Sequence, residues 1–204
     1  MIPFESTTVV PNDLAKDVRD LILSRPPLKK YQQDDANFYE RVVLENNLTH
    51  DWFPDINEHY TAEWLSFDDL KEEPLIKRAI FEYILPTFKK TFNYTDECYE
   101  SEFGLSNLVL TFTVMQSNGH YRIHKDDEHG FKYGFIWYLS ENWKWDWGGI
   151  LFTIDETGSA KVKLPKFNTV VFLEHYKSKN NWHFVSGVEE YAKEPRIALL
   201  GFIK

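Results

Sequence analysis

The sequence predicts a mainly β protein, a double-sheet jelly roll or barrel in the second half of the chain, supported on one face by N-terminal helices. Three observations predict it. After about residue 104, short β-branched and aromatic runs alternate with polar or glycine punctuation. Eight such runs fit within about 100 residues, a density that suits two packed sheets or a closed barrel. Helical periodicity is confined to the part before residue 104, which leaves helices to pack on the outside of one sheet.

Taken in chain order, residues 11–25 (PNDLAKDVRDLILSR) space Leu14, Val18, Leu21 and Ile22 along one helical face behind Asn12 as a cap, and Pro26-Pro27 ends the pattern. Residues 28–65 are rich in Asn, Asp, His and aromatics with no sustained period, although Phe38 to Leu44 reads as a short strand. From Ser66 a second helical rhythm runs through Leu75, Ile76, Ile80 and Ile84; Pro74 and Pro86 interrupt it, which predicts two or three pieces. The strands are expected at 105–116, 121–125, 133–139, 149–154, 161–164, 169–173, 182–185 and 196–203. There is no internal repeat and no low-complexity segment. A length of 204 residues with 43% apolar content suits one domain: 1–103 as helical and irregular support with a candidate substrate cover, and 104–204 as the jelly-roll core.

Composition excludes several classes. Twenty-three basic against 32 acidic residues give a net charge of −9, so nucleic acid is not an expected partner. Cys98 is the single cysteine, which rules out an internal disulfide, and MIPFESTTVV lacks the basic flank and apolar run of a signal peptide. A soluble protein of a reducing compartment, the cytoplasm, is the expectation. The longest apolar run, Phe135 to Leu139, falls far short of the roughly 20 residues that span a bilayer, so no membrane association is expected. Nothing in the sequence sets an oligomeric state.

The chemistry begins with His124-Lys125-Asp126 at the end of a predicted strand, where alternate side chains share a face and both can reach one ion. His183 in NNWHFVSG lies on a late predicted strand and offers a third ligand. Two His and one carboxylate on one face of an iron leave three positions open, the arrangement of non-haem Fe(II) oxygenases. A lone His-x-Asp is near chance in an acidic chain with seven His. What raises its weight is the ordered set, completed by Arg196 thirteen residues after His183 on the last strand. A guanidinium on an inward face suits the remote carboxylate of a dicarboxylate.

Other residues are weaker candidates. Trp137, Trp143, Trp145 and Trp147 crowd before Gly148-Gly149; most such aromatics fill core and edges, and Trp137 and Trp147 are the two read as a substrate wall. Asp127, in the loop HKDDEHG, and His175, near the mouth, are further candidate substrate contacts. His50, His59 and His120 have no partner at ligand spacing and read as structural. The Gly pair supplies positive φ at a turn, with room for substrate as its functional reading, and Asn168 makes a turn before a strand.

In order and spacing, YRIHKDD, FIWYLSENWKWDWGGIL, LPKFNTVVFLE, WHFVSGV and RIALLGF resemble the prolyl 4-hydroxylase-like branch of the 2-oxoglutarate oxygenases, particularly the ribosomal-protein prolyl hydroxylase group. The resemblance covers roughly residues 104–204. It implies a double-stranded β-helix (cupin-like) core, Fe(II) on His124, Asp126 and His183, and the 5-carboxylate of 2-oxoglutarate on Arg196 with Tyr121 as a second donor. It also implies dioxygen as oxidant, ascorbate as reductant, and hydroxylation of an unactivated carbon with release of succinate and CO2. A prolyl residue in a protein or peptide is the first expected substrate, and a free amino acid or other small metabolite the second. A non-catalytic jelly-roll binding module is the expectation from another class, and the net charge counts against nucleic-acid demethylation. The chain departs from the collagen-type pattern at Leu151, where a small polar residue is usual, and at Phe202. Asp126 is a carboxylate, unlike the small residue of the halide-binding relatives, so halogenation is not expected.

Overall fold

The computed structural model describes residues 5–24, 30–33, 60–64, 73–94, 108–117, 119–126, 130–154, 157–175 and 182–203. Its strands are β1 (Glu5–Thr7), β2 (Lys30–Gln33), β3 (Tyr60–Trp64), β4 (Leu108–Met115), β5 (Tyr121–His124), β6 (Tyr133–Tyr138), β7 (Leu151–Ile154), β8 (Ala160–Lys163), β9 (Thr169–Glu174), β10 (His183–Val185) and β11 (Arg196–Ile203). They form a seven-stranded sheet ordered β1-β9-β6-β11-β4-β3-β2 and a four-stranded sheet ordered β5-β10-β7-β8. All the pairings are antiparallel. The eight strands expected after residue 104 are present, and two facing sheets with helices on one side are the expected double-stranded β-helix architecture.

Strand alternation divides the large sheet into two faces. Leu108, Leu110 and Phe112 of β4, Tyr133, Phe135 and Trp137 of β6, Val170 and Phe172 of β9, and Ile197, Leu199 and Ile203 of β11 join the helices in one buried cluster. The helices supply Leu14, Ala15, Val18 and Ile22 from α1 (Asn12–Ser24), Ile76 and Ala79 from α2 (Pro74–Ala79), and Leu85 and Phe88 from α3 (Leu85–Thr91). The opposite face packs Met115, Ile136, Tyr138, Val171, Leu173 and Ala198 against Leu151 and Val185 of the small sheet. That second layer is the barrel interior. Ile123, Ile154, Trp182 and Phe184 form a third cluster on the outside of the small sheet.

Three local features differ from the sequence-based expectation. Pro86 does not break the second helical region: a π turn, Ile80–Ile84, links α2 to α3, and Leu85 N–H reaches back five residues to Ile80 O. Widening the turn there absorbs the ring that would otherwise crowd the preceding carbonyls. α3 then ends in a Schellman turn, with Asn93 at φ 57 and Tyr94 N–H bonded to Lys89 O at 2.8 Å. Asn12 is not the cap of α1, because the first helical bond runs from Ala15 N–H to Pro11 O, and the Asn12 side chain instead accepts from Asn168 Nδ2 at 2.7 Å. β1, β2 and β3 lie where no strand was expected, while the expected strand at Phe38–Leu44 falls outside the described residues. No helix among the described residues is long and apolar enough to cross a membrane.

Asn168 ties these layers together. At φ 56 it takes a left-handed conformation that Asn tolerates, and its side chain accepts from Trp137 Nε1 at 3.1 Å and donates to Val10 O at 2.6 Å. Asn168→Ala strands a buried indole N–H and a buried carbonyl and adds backbone strain. We expect it to cost about 2–4 kcal/mol, read as a lower urea midpoint at unchanged m-value.

Candidate metal centre

β5 and β10 lie side by side, and their register places His124 opposite His183, with ring centroids 4.2 Å apart. The next pair is Tyr121 with Val185, so β5 spends three residues where β10 spends two. That bulge lets Tyr121 and His124 both face the barrel interior, although strict alternation would send them to opposite faces. The chain turns after His124 and brings Asp126 back beneath both rings: Asp126 Oδ1 is 3.5 Å from His124 Nε2, and Oδ2 is 3.3 Å from His183 Nε2. One ligand atom from each of the three lies within 4.8 Å of the others. Burial raises the Asp126 pKa, but His183 and His124 beside it outweigh that and hold the carboxyl well below its usual range. The site therefore presents one carboxylate and two imidazoles, a donor set suited to a divalent iron.

Arg196 opens β11 opposite Met115 and is 1% exposed. Its Nε donates to Gly149 O at 2.8 Å, Nη1 lies 3.7 Å from Met115 Sδ, and Cζ sits 5.1 Å from the centre of the Tyr138 ring. Among the described residues it has no carboxylate partner, and a buried guanidinium without an anion is costly. Its surroundings add buried hydroxyls. Tyr138, Thr113 and Thr111 face the interior because their strand neighbours face the helices, and their hydroxyls find no hydrogen-bond partner among the described residues. Burial pushes the Tyr138 phenol up, partly opposed by Arg196, so it is a neutral donor near pH 7. A buried cation beside unsatisfied donors fits the remote carboxylate of 2-oxoglutarate, and the His–Asp–His set fits the iron that would hold its other end.

The remaining candidates divide. Tyr121 is at the inner face, its ring 6.1 Å from that of His124. Trp137 is a correction: it lies on the helix face of β6, fully buried, so the sheet itself separates it from the interior. Trp147 also fills structure rather than forming a substrate wall. It is 5% exposed, in a 3-10 turn (Trp145–Trp147) at the Gly148–Gly149 end of β7, edge-on to Trp143, whereas His183 pairs with Thr153 further along β7. Asp127 is outside the described residues. His175 is not at a mouth; it is 2% exposed, with Nε2 3.4 Å from Asp126 Oδ2. Burial pushes this imidazole down to about 4, so it is neutral near pH 7.

The Gly pair takes the expected positive φ, 69° at Gly148 and 62° at Gly149, but the room it makes has a different use from the one expected. A Cβ on Gly148 would collide with Gly187 O, and one on Gly149 would lie 2.7 Å from Arg196 Cδ. The glycines make room for the chain's own backbone and for the Arg196 stem. Sequence reading missed Tyr138 and Thr113. The alternation in LVLTFTVM carries the signal for Thr113, whereas FIWYL is apolar at every position and hides which face Tyr138 takes.

Comparison with known proteins follows the same lines. Residues 110–204 match the family profile of the 2OG-Fe(II) oxygenase superfamily. A Pseudomonas putida prolyl-4-hydroxylase structure is similar over 98% of this chain and 91% of its own, at 14% identity and a TM-score of 0.60. A Trichoplax adhaerens prolyl hydroxylase, solved with a hypoxia inducible factor oxygen degradation domain peptide fragment, is similar over 98% of this chain and 82% of its own, at 15% identity and a TM-score of 0.63. Among curated proteins, no sequence gives a significant match.

Proposed function

We propose, from the match of residues 110–204 to the 2OG-Fe(II) oxygenase superfamily, that this chain hydroxylates a prolyl residue in a protein or peptide, releasing succinate and CO2. It is a 2-oxoglutarate-dependent dioxygenase that uses Fe(II), 2-oxoglutarate and O2. The observation that carries the site assignment is the convergence of His124, Asp126 and His183 in the same barrel interior as a buried Arg196 that has no carboxylate partner among the described residues.

In this reading His124 and His183 bind the iron through imidazole nitrogen, and the ionised Asp126 supplies the one negative charge. Bound iron and 2-oxoglutarate together supply the oxidation of a substrate C–H bond by dioxygen. Arg196 holds the far carboxylate of the co-substrate, with the neutral Tyr138 phenol and Tyr121 as further donors, which fixes the co-substrate's orientation. Ile136, Leu151 and Val185 line the interior between these groups and exclude water. Leu151, where relatives often carry a small polar residue, leaves that donor role to Tyr138 on the facing sheet.

The prolyl reading rests on the resemblance in the motifs and on the likeness to two prolyl hydroxylase structures, one holding a peptide. We place residues 1–103 as support and substrate cover within one functional unit, and the chain in a reducing cytoplasmic setting, in keeping with its single Cys98. Succinate release on the iron-loaded protein, coupled to mass spectrometry of proline-containing peptides and of free proline, tests the substrate. Gain of one oxygen atom on a peptidyl proline is the expected result. Oxygen on free proline alone moves the assignment to a small metabolite, and no succinate with either removes both.

A further inference from the structure

We propose that His175 is a positioning residue for the metal carboxylate, its Nε2–H donating to Asp126 Oδ2 and fixing the orientation in which Asp126 meets the metal. This rests on the assignment of His124, Asp126 and His183 as the metal-binding set.

Geometry carries the argument. His175 follows β9, and its backbone N–H continues the β6–β9 ladder by bonding Lys132 O at 2.8 Å, so the root of the side chain is fixed. Strand alternation points it inward with Val171 and Leu173. There a polar ring is 2% exposed, and its Nε2 has no hydrogen-bond partner within ordinary limits among the described residues. Asp126 Oδ2, at 3.4 Å, is an acceptor it can reach by a small tightening. A buried N–H without an acceptor is expensive, and a carboxylate is the strongest acceptor available to it.

Gly134 supports the same assignment from the other side of the ring. A Cβ there would lie 2.7 Å from His175 Nε2, while the next atom, Gly201 O, is at an ordinary 3.5 Å. Gly134 is not among the residues with positive φ, so its backbone does not demand glycine. A glycine inside a central strand gives up packing. Its clearest use here is to admit the imidazole.

Two alternatives fit less well. A substrate contact would need Nε2 turned towards the substrate, whereas it lies 3.4 Å from Asp126 Oδ2. A fourth metal ligand needs Nε2 within the converging donor atoms, but His175 lies outside the set whose ligand atoms fall within 4.8 Å of one another. Its ring centre is 5.9 Å from that of His183, against 4.2 Å between His124 and His183. Three protein ligands also leave the three open positions that the reaction class requires.

Co(II) is the probe, because its visible bands report coordination without turnover. Outer hydrogen bonds to ligating carboxylates typically change metal affinity by about 10- to 100-fold. His175→Ala is expected to weaken Co(II) binding within that range and to shift the bands, and His175→Gln, whose amide can donate, to recover part of both. Gly134→Ala leaves every polar group in place but displaces the ring, so it is expected to move affinity and bands in the same direction. Added to His175→Ala, the Gly134→Ala change is expected to have little further effect. Melting of the metal-free proteins checks folding, and Gly134→Ala carries the test if His175→Ala does not fold. Unchanged Co(II) affinity and bands in the folded variants overturn the proposal. So do three coordinated imidazoles by pulsed EPR of the Cu(II)-loaded protein, which would put His175 on the metal. If the unaltered chain takes up no Co(II), the metal assignment itself fails, a result distinct from equal binding by all variants.

Discussion

His183→Ala is expected to abolish substrate-dependent succinate formation, by more than about a thousandfold, and to weaken divalent-metal binding by more than the roughly 100-fold ceiling typical of outer-shell changes. The residue opens β10, the strand held between β5 and β7, and its backbone is paired on both sides, with His124 and with Thr153. Alanine keeps that backbone pairing, so the loss falls on the imidazole. Two effects are combined in it and they can be separated. Removing a buried ring that packs at a tilt against His124 lowers the stability of the metal-free chain by about 1–2 kcal/mol, an ordinary truncation cost. Removing one of three convergent donors acts only when metal is present. Metal therefore raises the melting midpoint of the unaltered chain, and the variant loses that rise as well as turnover. A variant that kept full succinate formation would sink the triad.

How much of this was legible in the sequence follows from where each signal resides. The strands after residue 104 other than β8 are readable because each buries at least one face and is bounded by turn residues, while β8 (AKVK) buries none and is marked only by the turns beside it. β1 (EST) and β2 (KYQQ) carry no run of apolar residues to read: they pair at the two edges of the large sheet. His124, Asp126 and His183 are readable as an ordered set, and the structure brings them together. Trp137 was misplaced because β6 is buried on both faces, so alternation in hydrophobicity, the usual guide to facing, is silent there. His175 could be noticed but not placed. Its contact joins the end of β9 to the turn after β5, in different sheets, and nothing local to either segment encodes that meeting. The bulge in β5 is hidden for the same reason, since it exists only relative to β10.

Arg196 carries the second large expectation, and its sign is different for folding and for function. Arg196→Met is expected to leave the ligand-free chain as stable as before, or more so. The substitution forfeits the weak Nη1 hydrogen bond to Met115 Sδ at 3.7 Å and the stronger one from Nε to Gly149 O at 2.8 Å, the latter worth about 1 kcal/mol with a further penalty for the carbonyl left behind. Against that it removes a guanidinium that is 1% exposed and has no carboxylate partner among the described residues, a burden of comparable or larger size. Binding of 2-oxoglutarate responds in the opposite sense. Truncating one side of a buried, hydrogen-bonded charge pair costs about 2–5 kcal/mol, which is roughly 30- to several-thousand-fold in affinity. Arg196→Lys should fall between, because an ammonium keeps the charge but not the planar fork that meets both Gly149 O and a carboxylate. Gly149→Ala offers a control that keeps the arginine. At φ 62, and with its Cβ 2.7 Å from Arg196 Cδ, it should displace the stem and weaken 2-oxoglutarate while lowering stability through backbone strain. Calorimetric titration with 2-oxoglutarate beside melting of the ligand-free proteins separates the two axes. A structural arginine would lose stability first; an arginine kept for an anion should lose the ligand and little else.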